Sequence, residues 1–113
     1  PKPAKDHLLI RLHAAALNHR DVWIRREQNL SADKGTVLGS DGSGVIAAVG
    51  EEGDASSVGR TVIINPSHDW GNNPLVQGDA FKILGFPDHG TFAEYIAVHK
   101  KYVHDKPGHL SFE

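Results

Sequence analysis

The ten residues Val37-Leu38-Gly39-Ser40-Asp41-Gly42-Ser43-Gly44-Val45-Ile46 put one carboxylate among side chains that are nearly all small. Glycine and serine let a backbone approach a ligand or another chain closely, so Asp41 stands in a site-like turn that feeds a strand. The bland reading is a tight turn in which Asp41 bonds its own backbone. A second polar cluster, Asn18-His19-Arg20-Asp21, interrupts an apolar pattern. Its Asn18 has an amide that can donate or accept a hydrogen bond. Asp21 reads either as a helix N-cap or as support for its neighbours.

Other combinations are weaker. Asp88-His89 imitates a carboxylate–imidazole pair, but adjacent residues of an extended chain point to opposite sides. Eight histidines are present, and His99, His104 and His109 recur every five residues, which suits neither a helix face nor a strand face. A metal cluster built from them is not expected. No Gly-x-Ser-x-Gly elbow stands between a strand and a helix. His68-Asp69-Trp70 lies in a long segment where the indole either borders a substrate or packs on another surface.

Bulk properties narrow the choices. At 113 residues the chain is one domain by length, with room for one modest core. Twelve Lys and Arg against fourteen Asp and Glu give a net charge of -2, which argues against nucleic acid or an anionic membrane as main partner. There is no cysteine, so disulfides, thiolate catalysis and cysteine-bound metals are excluded. No apolar run approaches the roughly 18 residues of a membrane span. The sequon Asn29-Leu30-Ser31 reads as chance. Both ends read as cut: Met is absent, and Ser111 with Glu113 looks like a helix start.

The elements that must position these residues are mostly strands. His7 to Ala15 alternates, with Leu8, Ile10, Leu12 and Ala14 expected on one face and Arg11 and His13 on the other. A short helix is expected over Val22 to Gln28, capped by Asp21, and a loop over Ser31 to Thr36. Asp41 to Gly50 reads as a strand whose Gly and Ala imply close packing. Glu51 to Ser57 reads as an acidic surface loop, and Thr61 to Ile64 as a short buried strand. Asn65 to Phe86 reads as a long loop. Thr91 to Val98 reads as a strand with Phe92 and Tyr95 in the core, and Lys101 to His104 as a last strand. Short strands, glycine turns and one small helix point to a mostly β barrel or sandwich.

Four motifs in this order carry a resemblance: Ala15-Ala16-Leu17-Asn18-His19-Arg20-Asp21, Leu38 to Ile46, Val58-Gly59-Arg60-Thr61-Val62, and Gly90-Thr91-Phe92-Ala93-Glu94-Tyr95. Together they resemble the GroES-like catalytic domain of the medium-chain dehydrogenase/reductase superfamily over nearly the whole chain, residues 1–113. The wording of Asn65 to Ser67 and of Phe86 to Tyr95 is similar to members named zinc-type alcohol-dehydrogenase-like. The resemblance implies a twisted, partly open β-barrel with short helices. It implies an upstream hairpin whose absence leaves a sheet edge unpaired, and a following Rossmann domain that binds NADP or NAD; no Gly-x-Gly-x-x-Gly occurs here in strand-to-helix context. A cytoplasmic, homodimeric or homotetrameric parent enzyme with a small-molecule substrate is likewise implied.

The resemblance also bears on zinc. Zinc-dependent members place cysteine where Asn18 stands, and histidine followed by glutamate where Ser40-Asp41 stands. An amide and a hydroxyl are poor Zn²⁺ ligands. The stretch Asn65 to Gly85 lacks the four cysteines of a structural-zinc lobe. The chain therefore resembles the zinc-free, quinone-oxidoreductase-like branch. In such a site hydrogen bonds must stabilise developing negative charge on oxygen. The residues carried over are Asn18, Ser40 and Asp41 for catalysis and Asn18, His19 and Asp21 for the cofactor. Two other readings stay open: a non-catalytic GroES-like binding module, and a zinc dehydrogenase with unconventional ligands.

Overall fold

The computed structural model describes residues 2–27 and 35–113. Its elements are β1 (His7–Ala16), α1 (His19–Glu27), β2 (Asp41–Val49), β3 (Thr61–Ile64), β4 (Ser67–His68), β5 (Lys82–Ile83), β6 (Tyr95–His99) and β7 (Val103–Asp105). Five strands form one antiparallel sheet in the order β6-β1-β2-β3-β7, and β4 and β5 form a separate pair.

The sheet is open, but strongly curled. β6 and β7 are its two edges, yet only the 3-10 turn Lys100–Tyr102 separates them in sequence. Three residues can span a few ångströms each at most, so the two edges meet at one corner. Two bulges in the β1–β2 ladder increase the twist that makes this curl. The expected partly open, mostly β architecture is what the chain adopts.

The core lies on the concave face. Ile10, Ile46, Val62, Ile64, Leu84, Ile96 and Val98 are buried, with Leu8, Leu12, Val49, Tyr102 and Val103 packed against them. β3, expected to be a short buried strand, alternates instead, with Val62 and Ile64 buried and Thr61 and Ile63 exposed. Gly44 is required by close packing of two backbones, because a Cβ there would lie 2.2 Å from the Arg11 carbonyl oxygen.

Several sequence expectations need correction. The register runs Leu12↔Gly44 and then Ala14↔Ser43, so His13 is the extra residue of a bulge. A bulge flips the side-chain parity beyond it. Ala14 therefore lies on the outer face with Arg11, not on the core face with Leu12. The helix begins at His19 rather than Val22, and Asp21 is inside its first turn rather than its cap. Gln28 and the sequon lie outside the described residues, as does most of the loop expected over Ser31 to Thr36.

The loop expected over Asn65 to Phe86 contains the β4–β5 pair. The strand expected from Thr91 is regular only from Tyr95, and the last strand starts at Val103, after a 3-10 turn. Phe92 and Tyr95 are not core residues, being 39% and 47% exposed. Both precede or begin an edge strand, where alternation alone does not say which face a neighbour covers.

Candidate functional site

Asn18 ends the β1 connection and caps α1. Its Oδ1 accepts from the Arg20 amide at 3.0 Å, while its own amide N–H donates to Asp21 Oδ2 at 2.9 Å. This is a reciprocal capping arrangement, with the carboxylate three residues into the helix. The second oxygen of Asp21 accepts from the Gly39 amide at 3.2 Å. One buried carboxylate thus joins the start of α1 to the turn before β2. That bond brings two sequence clusters together across 18 residues.

The turn itself is held by the segment from His89 to Phe92. The amides of Gly90, Thr91 and Phe92 donate to the carbonyls of Val37, Gly39 and Leu38. His89 Nδ1 accepts from the Val37 amide at 3.0 Å. The Thr91 hydroxyl, fully buried, donates to the Asp41 carbonyl at 2.8 Å. Gly39 adopts φ +96, and a Cβ on Gly90 would lie 2.0 Å from the Gly39 carbonyl oxygen. Only glycine fits at either position.

Ser40 is buried, and its hydroxyl donates to the Leu84 carbonyl at 2.8 Å. Arg20 reaches the same segment, donating from Nη2 to the Phe86 carbonyl at 3.0 Å. Helix α1, the Gly39 turn and the Leu84–Phe86 segment therefore form one bonded unit. Thr91, Arg20 and the Leu84 carbonyl were not identified as site elements from sequence. Thr91 stood in a recognised motif, but its buried hydroxyl bond depends on the fold.

The five residues expected in the site separate into three environments. Asn18 and His19 lie exposed at the start of α1, where His19 stacks on Trp23 with ring centres 5.5 Å apart. Asp21 and Ser40 are buried in bonds to backbone. Asp41 lines a cavity of ≈ 450 Å³ on the outer face of the sheet, which the other four do not line.

A larger cavity of ≈ 800 Å³ lies between β6 and the β4–β5 pair, and none of the five borders it. There His68 stacks on Tyr102 at 3.8 Å. Burial, and then the nearby Lys82 ammonium, pushes the His68 imidazole pKa down. The Asp69 carboxyl is held below its usual range by the Tyr102 hydroxyl and by Lys101. Trp70 donates from Nε1 to the Asn73 carbonyl at 3.0 Å and packs edge-on to Phe81, so it structures its own lobe. Asp88 pairs with Lys82 at 2.5 Å while His89 holds Val37, so the two form no dyad.

At Asn18 and Ser40 the donor chemistry does not fit zinc. The Asn18 side-chain Oδ1 already caps a helix, and the Ser40 hydroxyl is buried against a carbonyl. Neither position offers a thiolate or imidazole. Among the described residues no group of three or more His, Asp and Glu side chains is placed to hold a metal ion.

Residues 4–108 match the alcohol dehydrogenase GroES-like domain. The chain belongs to that family, the N-terminal domain of the medium-chain dehydrogenase/reductase superfamily. A zinc-type alcohol dehydrogenase-like protein of Leptosphaeria maculans is 32% identical over 98% of this chain and 34% of its own length. A trans-enoyl reductase of Talaromyces variabilis is 30% identical over 93% of this chain and 27% of its own length. A crystal structure of an NAD-dependent alcohol dehydrogenase superposes with a TM-score of 0.86 at 38% identity, covering 100% of this chain and 35% of that one. This GroES-like chain thus spans about a third of the length of such relatives. No helix of the described residues is long and apolar enough to cross a membrane.

Proposed function

We propose that this GroES-like chain is the substrate-side domain of a cytoplasmic NAD(P)H-dependent oxidoreductase that reduces carbonyl, quinone or enone substrates without zinc. The observation that carries the zinc-free reading is the pair of bonds that occupy Asn18 Oδ1 and the Ser40 hydroxyl. The reductase class is supported by relatives named as alcohol dehydrogenases and enoyl reductases. A following nucleotide-binding domain, and assembly into dimers or tetramers, belong to the same proposal.

The nicotinamide, when bound, supplies the hydride. This chain's own task is to orient the substrate and stabilise charge on its oxygen. Asn18 suits that role. Because its Oδ1 is fixed in the helix cap, its Nδ2 is pre-oriented on the exposed side as a hydrogen-bond donor. Asp21 and Ser40 keep the Asn18 region and the Gly39 turn in register. His19 and Trp23, stacked and exposed, offer a flat face beside that donor for the cofactor.

The test uses the full-length parent enzyme. NADPH and NADH oxidation is measured with a quinone, an enal and a ketone, and metal content is measured on the same preparation. Turnover with zinc well below one equivalent is expected. Stoichiometric zinc whose removal abolishes activity overturns the zinc-free reading. No oxidation of either nucleotide with any of the three substrates overturns the reductase reading.

A further inference from the structure

The ≈ 450 Å³ cavity on the outer face of the sheet is within the size range of small-molecule sites. It exists because of the bulge at His13, which turns Ala14 and Ala16 outward to face Asp41, Ser43 and Ile63 across β1, β2 and β3. Phe112 closes one side. Its carbonyl accepts from the Ser43 hydroxyl, and its ring stacks on His13 with centres 4.4 Å apart. The Ser43 hydroxyl is thereby consumed in holding the wall.

The remaining lining is apolar except for two carboxylates, Asp41 and Glu113, and no Lys, Arg or His borders the cavity. The backbone of Asp41 is locked by Thr91, while its carboxylate has no hydrogen-bond or ion-pair partner among the described residues. A carboxylate accepts and never donates when ionised. An apolar pocket whose lining charges are all negative repels an anion and admits a neutral body.

We infer that Asp41 is a specificity-determining residue, which turns anionic compounds away from this cavity and selects neutral apolar ones. The inference rests on reading the chain as a substrate-side domain, and adds to it a preference for uncharged compounds at a cavity that Asn18 does not line. Two like charges a few ångströms apart at a partly wet site weaken binding by about tenfold or more.

The test is an NMR titration of the 113-residue protein with 4-phenylbutan-2-ol and 4-phenylbutanoate, a neutral and an anionic probe of similar shape. The alcohol is expected to shift the amides of Ala14, Ser43 and Ile63. The carboxylate is expected to bind there about tenfold more weakly. In Asp41→Asn the gap should close to about threefold or less, and Asp41→Ser, a second small polar replacement, should close it as well. Equal affinities in the unsubstituted protein, an unchanged gap in both variants, or no shift at these amides with either probe overturns the inference. Turnover is not read, so an inactive parent enzyme would sink the reductase proposal without altering this result.

Discussion

The Asp21 carboxylate reaches from the first turn of α1 to the amide of Gly39, 3.2 Å away. Its other oxygen holds Asn18, so one side chain fastens the helix to the turn from which β2 starts. Asp21 is 6% exposed, and α1 buries no other residue. The helix is therefore docked by hydrogen bonds more than by apolar contact.

Replacing Asp21 should accordingly undo the docking. Hydrogen bonds to charged groups contribute roughly 1.5–3 kcal/mol each, and a buried N–H left unpaired costs about 1–3 kcal/mol. Asp21→Ala should destabilise the chain by about 3 kcal/mol, with Asp21→Asn falling between it and the unsubstituted protein. Urea midpoints at constant m-value measure the difference.

Asn18 combines a cap with a proposed donor, and substitutions can separate them. Asn18→Ala loses the cap and should cost about 1 kcal/mol. Asn18→Asp keeps an excellent cap but removes the amide donor. In the parent enzyme Asn18→Asp should lower kcat by about a hundredfold with a near-normal thermal midpoint. Unchanged kcat in Asn18→Asp would leave Asn18 as a cap alone.

His68 makes stability depend on pH. Its pKa in the folded chain lies below the ordinary 6.5 because burial and Lys82 disfavour the imidazolium. The unfolded chain therefore takes up the proton first as pH falls. The contribution is fully present above about pH 6.5 and is lost progressively below it, toward the depressed folded value. Urea unfolding from pH 7.5 to 5 should reveal this loss, and His68→Phe, which keeps a ring against Tyr102, should flatten the profile over that window.

The β4–β5 lobe is tied to the sheet by Tyr102. Its hydroxyl donates to Asp69 Oδ1 at 2.8 Å and accepts from the Asp69 amide at 2.9 Å. Asp69 has φ 54, a conformation Asp and Asn tolerate and β-branched residues do not. Tyr102→Phe should cost about 1–2 kcal/mol, and Asp69→Val more. Amide exchange should accelerate first in residues 67–83, since the lobe can open without the sheet.

Gly90 packs so closely on the Gly39 carbonyl that even one methyl must move backbone. Gly90→Ala should cost several kcal/mol or prevent folding, as overpacking does when nothing flexible can yield. Circular dichroism of the purified variant is sufficient. Retention of the native melting point would contradict the close packing of this turn.

The alternation of the first half of β1 was legible because one face of the strand is buried and the other is not, whereas Thr61-Val62-Ile63-Ile64 reads as a wholly buried run and is buried only at Val62 and Ile64. The break at His13 was not legible. A bulge leaves no mark in residue types, and its parity flip depends on the partner strand. Asp21 was legible as a residue of the helix start but was given the wrong position. Asn and Asp are both strong caps, and only the hydrogen bonds decide between Asn18 and Asp21.

By itself, the sequence determined the mostly β class, the family motifs, a short helix after the first strand and the lack of cysteine ligands. These follow from local composition, spacing and order. The tertiary structure decided that Asp21 would bridge to Gly39, that Ser40 would face the Leu84 carbonyl, and that Asp41 would stand alone on an outer cavity. Each of those outcomes depends on which distant backbone group arrives opposite a side chain. Strand register and the curl of the sheet set that, not the residue's own neighbours.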